Sequence, residues 1–157
     1  MNLSKLFEMQ RKLDERIVRE KGLEGQNLLD KKILALQVEL GELANEWRGF
    51  KYWSNDQEPR TVKYIENRKH RQNPLLEEYV DCLHFILSIG NELGYTVDDL
   101  YVWDDELIGK TENIFLELMY WVVLIKSKDE RKRKDAFKTV CYIFFNMAEQ
   151  RLGFTPE

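Results

Sequence analysis

Apolar residues recur every three to four positions along most of the chain, and only three prolines interrupt the pattern. That spacing lines one face of an α-helix, whereas a half-buried strand needs strict alternation. It predicts a first helix on Leu3, Leu6, Phe7, Leu13 and Ile17, stopped at Lys21-Gly22. A second runs over about residues 30–47 on Ile33, Leu36, Leu40, Leu43 and Trp47, and Gly49 ends it. Pro74 opens a third, since proline is tolerated at the first helical position, and Gly94 stops it. Thr96 with Asp99 resembles a capping box that opens a short helix. Two further helices cover about residues 112–126 and 129–151, the last ending before Gly153. No strand alternation, internal repeat or low-complexity tract is present. The expected fold is an all-α helical bundle, one domain over residues 1–157.

Two features go beyond a plain bundle. Residues 50–73 are polar and irregular around Pro59, and connections longer than roughly 12–15 residues tend to be functional lids or disordered. The fourth helix carries Phe115, Leu118, Met119, Trp121, Val122, Val123 and Ile125 and keeps little polar face. One small bundle seldom covers so wide a stripe, so the expectation is a homodimer.

Charge and cysteine usage narrow the setting. A net charge of -4 is too small for general attraction to nucleic acid or anionic membranes, and neither is expected as a partner. The basic run Glu130-Arg-Lys-Arg-Lys-Asp135 starts a helix and reads as a solvated face. The apolar tract at 118–125 is far short of the roughly 20 residues that span a bilayer. The N-terminus is charged and amphipathic, and Cys82 and Cys141 both sit in apolar helical patterns. A soluble, reduced, cytoplasmic protein is expected. Between Gln72 and Gly109 there is no Lys or Arg, yet the stretch holds nine acidic residues.

Part of that acidity is patterned. Glu39-Leu-Gly-Glu42 and Glu78-Tyr-Val-Asp81 each place two carboxylates three apart, on one helix face. Glu39, Glu42 and Glu46 fall within about 60° of one another at 100° per residue, flanking the apolar stripe. Glu78 and Asp81 likewise border their helix's apolar arc. Antiparallel packing of the two helices brings Glu39, Glu42, Glu78 and Asp81 together at the core margin. A lone ExxE is more often a solvated face than a site. Here no base lies between Lys32 and Arg48, and Asp81 sits in YVDCLHFILSIG, where an unpaired charge costs several kcal/mol. A hard dication such as Mg²⁺, held by a few carboxylates and substrate phosphates, answers that cost economically.

Other residues have two readings. His84, three after Asp81, is either a hydrogen-bonded core histidine or part of the site. An Asp-x-x-His unit resembles half of a di-iron bundle site, but the first pair here is Glu-x-x-Glu, which disfavours that chemistry. Trp53, in Phe50-Lys51-Tyr52-Trp53-Ser54, either anchors the long loop or stacks on a planar base, and Lys51 beside it can meet phosphate.

The segments ALQVELGELANEW, FKYWS and LLEEYVDCLHFILSIG resemble the dimeric all-α dUTP pyrophosphatases, especially bacterial and phage forms. These belong to a wider all-α superfamily that includes MazG-type enzymes. The resemblance runs from about Leu3 to Gly94 and continues more loosely beyond. It implies that Glu39, Glu42, Glu78 and Asp81 bind Mg²⁺, with Glu39 or Glu42 catalytic. It places Gln10 and Asp14 where relatives contact uracil; relatives commonly have Asn at the second position. It sets Trp53 against the base or sugar and His84 near the deoxyribose. The implied reaction is dUTP plus water to dUMP and pyrophosphate, with dUDP a further candidate substrate. Relatives carry a further C-terminal segment whose Lys, Asn and Arg residues close on the phosphates, and this sequence ends at Glu157, where that segment is expected. Three alternatives follow: a truncated form, a clamp supplied by Lys51, Lys63 or Arg68, or a weakened homologue. The rival functions are a pyrophosphatase for dCTP or many bases, and a non-catalytic dimerisation or regulatory module.

Overall fold

The computed structural model describes residues 2–64, 71–100 and 105–155. Among the described residues, five α-helices make up the bundle: α1 (Leu3–Lys21), α2 (Leu29–Trp47), α3 (Pro74–Glu92), α4 (Thr111–Leu124) and α5 (Glu130–Leu152), with a 3₁₀ turn at Val97–Asp99. Each boundary has a local cause. Asn2, Asn73 and Asp129 cap α1, α3 and α5 by accepting backbone N–H bonds from Lys5, Leu76 and Lys132. Gly22 and Gly153 close α1 and α5 in the left-handed conformation. Thr96 N–H donates to Asp99 Oδ2 at 2.9 Å, as the capping pattern predicted. Helix α4 is slightly shorter than expected, because Ile125 and Lys126 bond three residues back, to Val122 and Val123.

Two details differ from the sequence reading. Arg48, not Gly49, takes the left-handed position after α2 (φ 66°), its N–H bonded to Ala44 O. Gly49 is required for space, since a Cβ there would lie 2.3 Å from the Trp47 ring. The long connection is not wholly irregular either: strands β1 (Lys63–Tyr64) and β2 (Arg71–Gln72) pair antiparallel.

Helices α2 and α3 run antiparallel. Lys32, near the start of α2, donates to Glu92 Oε2 at 2.7 Å near the end of α3. At the other end Arg60 links them, its N–H bonded to Glu46 O and its carbonyl accepting from Leu75 N–H. Helices α4 and α5 are also antiparallel, because Arg151 at the end of α5 donates to Leu107 and Gly109 carbonyls ahead of α4. Gln37 ties α2 to α4 through Met119 O at 2.8 Å. The core lies where these pairs meet, with Leu36, Leu43, Leu118, Val122 and Phe144 wholly buried. Tyr79 stacks on Phe144 at 4.2 Å and 5°. Helix α1 packs on α3 at Gly90, where a Cβ would meet Phe7 at 2.8 Å and Phe137 at 3.0 Å. Among the described residues, no helix is long and apolar enough to cross a membrane.

Candidate active site

The antiparallel pairing of α2 and α3 brings two acidic pairs from distant sequence to one margin of the core. Glu39, Glu78 and Asp81 each offer one carboxylate oxygen, and these atoms all lie within 4.8 Å of one another; Asp81 is exposed, so the burial cost expected from its apolar sequence neighbours does not arise. Glu42 lies beside them, close enough for its charge to act on Glu39 and Glu78. None of the four carboxylates makes an ion pair among the described residues, although many surface acids do.

Such crowding perturbs proton affinity. Burial pushes the Glu39 carboxyl up from its ordinary value, helped by the charges of Glu42 and Asp81. Glu78 is pushed up to about 7, by burial first and then by Glu42, Asp81, Glu39 and Glu46. Beneath them Cys82 is wholly buried, and its thiol is pushed up by burial and by the carboxylates Glu39, Glu78 and Asp81. It is therefore an inert packing residue, not a nucleophile.

Glu46 is a member of this acidic face that sequence reasoning placed in the right sector without singling out. Its Oε1 meets Arg60 at 3.4 Å, while its Oε2 is buried with no hydrogen-bond partner. An orphaned carboxylate oxygen and three converging ligand atoms without a paired base fit a hard dication. Glu39, Glu78 and Asp81 are the residues placed to hold one, with Glu42 and Glu46 next to them.

One turn along α3 from Asp81 lies a second polar group. Gln10 and Asp14 project from α1 toward His84 and Ser88 of α3. Gln10 Nε2 donates to Asp14 Oδ1 at 2.8 Å, Gln10 Oε1 meets His84 Nδ1 at 2.7 Å, and Ser88 Oγ donates to Asp14 Oδ2 at 2.7 Å. Lys32 stands 3.8 Å from Asp14 Oδ2. Gln10 is buried, whereas His84 keeps an exposed edge. Nothing in the sequence flags Lys32 or Ser88, because their partners lie on other helices.

The aromatic segment follows the end of α2. Phe50 stacks on Trp47 at 6.5 Å, and Trp53 meets the Phe50 and Tyr52 rings edge-on at 5.8 and 5.1 Å. Trp53 nevertheless stays 65% exposed. Lys51 Nζ bonds Asn45 Oδ1 at 2.5 Å, close to the acidic face. Of the other candidate phosphate ligands, Lys63 is exposed on β1 and Arg68 lies outside the described residues.

No curated protein and no solved structure matches the chain. A family model described as dUTPase matches residues 2–157. With Glu39, Glu78 and Asp81 converging between α2 and α3 and a family match over nearly its whole length, the chain belongs to the dUTPase family.

Proposed function

We propose that the chain hydrolyses dUTP to dUMP and pyrophosphate on the acidic face between α2 and α3. The observation that carries this reading is the convergence of Glu39, Glu78 and Asp81 without a neutralising base, in a member of a family of dUTP-hydrolysing enzymes. Glu39, Glu42, Glu78 and Asp81 are the residues that would hold Mg²⁺. Bound there, Mg²⁺ would offset the triphosphate charge and lower the pKa of a coordinated water. Glu39 and Glu42 would orient a water for in-line attack on phosphorus. Lys51 meets the phosphates, Trp53 stacks on the base, Gln10 and Asp14 lie toward the base, and His84 lies against the deoxyribose.

The homodimer belongs to the same proposal. Leu34 and Val38 on α2, and Leu116, Tyr120 and Val123 on α4, form exposed apolar stripes on helices already joined by Gln37 and Met119. A second copy covering both stripes removes apolar surface from water. The free, buried thiols of Cys82 and Cys141 suit a reducing cytoplasm.

The test is pyrophosphate release from dUTP, dCTP and dTTP with and without Mg²⁺. The expected result is Mg²⁺-dependent release fastest with dUTP and lost in Glu39→Ala. Release that is equal for all three nucleotides removes the base assignment, and no release at high enzyme concentration removes the enzymatic reading.

A further inference from the structure

We infer that Asp14 is a positioning residue that, acting through Gln10, fixes the tautomer of His84 so that its Nε2 faces outward as a hydrogen-bond acceptor. The chain of reasoning begins with the Asp14 carboxylate, which can only accept. The Gln10 amide nitrogen must therefore face it, as the 2.8 Å contact from Nε2 to Oδ1 has it. The reverse orientation would bring two acceptor oxygens together and leave a buried pair unsatisfied. With its nitrogen committed, Gln10 presents Oε1 to His84 Nδ1 at 2.7 Å. An amide oxygen accepts, so Nδ1 carries the hydrogen, and a neutral imidazole then has its lone pair on Nε2.

The rest of the network keeps Asp14 in that role. Ser88 Oγ donates to Oδ2 at 2.7 Å. Lys32 lies 3.8 Å away, itself held by Glu92, which offsets the carboxylate's charge in a site where its side chain is only 17% exposed. Gln10 and Asp14 are four residues apart on α1, as are His84 and Ser88 on α3, so two helix faces meet as a line of four linked groups. His84 Nε2 has no hydrogen-bond partner among the described residues, and its exposed edge is where a ligand can reach.

Resting on the nucleotide reading above, the consequence is a rule of polarity. The group that binds His84 must be a donor, and on a deoxynucleotide the sugar hydroxyl supplies one. An Asn at position 14 could present either its amide nitrogen or its oxygen, so Gln10 could turn over and the tautomer would no longer be imposed.

The experiment uses protein labelled with ¹⁵N-histidine. The chain has only His70 and His84, and His70→Gln assigns the signals. Long-range ¹H–¹⁵N spectra at a pH of about 8.5, where an ordinary imidazole is neutral, distinguish the two tautomers without any nucleotide. The expected result is Nδ1–H for His84 in the native protein and in Ser88→Ala, which keeps the Gln10–Asp14 bond. Asp14→Asn and Gln10→Ala should shift it toward Nε2–H. An Nε2–H signal in the native protein overturns the proposal, and so does an unchanged Nδ1–H signal in Asp14→Asn. If Asp14→Asn does not fold, the native and Gln10→Ala spectra still decide. In the kinetic arm, Asp14→Asn should lower kcat/KM for dUTP about tenfold, the scale of one lost hydrogen bond. It should also narrow the preference for dUTP over its 3′-deoxy analogue; an undiminished preference overturns the donor rule. Native Nδ1–H in a protein that does not hydrolyse dUTP supports the tautomer assignment while removing the nucleotide reading.

Discussion

Replacing Glu78 with glutamine should stabilise the metal-free protein at pH 8 while abolishing its stabilisation by metal and nucleotide. The sign follows from proton linkage. Glu78 holds its proton up to about pH 7, against an ordinary value of 4.5. Between those values the unfolded chain has lost a proton that the native state keeps, so stability falls as pH rises across this window. The full difference corresponds to at most about 3.4 kcal/mol at 1.36 kcal/mol per pH unit. Glu78 is only partly buried, and screening by water and salt reduces the usable part to roughly 1–2 kcal/mol. Glutamine has nearly the same shape and no charge to crowd Glu39, Glu42, Glu46 and Asp81. Urea unfolding in the presence of a chelator, at pH 5 and pH 8, measures the effect. The variant should match the native protein at pH 5 and exceed it by about that amount at pH 8. Adding Mg²⁺ and a non-hydrolysable dUTP analogue at about 100 times the dissociation constant should stabilise the native protein by about 2.7 kcal/mol and leave the variant unmoved. Equal destabilisation of the variant at both pH values would refute the reasoning. It would mean that Glu78 is a structural hydrogen-bonding group and not a member of a crowded, metal-ready cluster.

Leu36→Ala removes a wholly buried side chain of α2 and should cost about 2–5 kcal/mol in urea unfolding. Gly49→Ala forces a methyl group toward a ring 2.3 Å away and should cost about 1–3 kcal/mol, read as a lowered Tm. Trp53→Ala, at an exposed position, should leave Tm unchanged and raise KM for dUTP, by as much as the roughly 1–3 kcal/mol of a base–aromatic stack. Leu116→Glu places a charge in the exposed apolar stripe of α4 and should shift the sedimentation coefficient from dimer to monomer without loss of helicity.

The helices were legible in the chain because their causes are local. Spacing of apolar residues identifies α2 through Ile33, Leu36, Leu40 and Leu43, all buried, and end signals such as Thr96 and Gly22 need only their nearest neighbours. Both acidic pairs were legible for the same reason: residues three apart share a face whatever the helix packs against. What the sequence cannot express is which oxygen atoms meet. Glu39, Glu78 and Asp81 come within 4.8 Å, with Glu42 and Glu46 beside them, because α2 and α3 run antiparallel through the Lys32–Glu92 and Glu46–Arg60–Leu75 links. Arg48 at the left-handed position after α2 was equally hidden, since the bulk of the Trp47 ring, not backbone preference, decides where the glycine stands. The polar line of Gln10, Asp14, His84 and Ser88 depends on a helix crossing between residues more than seventy positions apart. Periodicity decides which face a side chain occupies. Hydrogen-bond polarity, and with it the tautomer assigned to His84, arises only when tertiary packing puts an acceptor-only carboxylate against an amide that must turn to meet it.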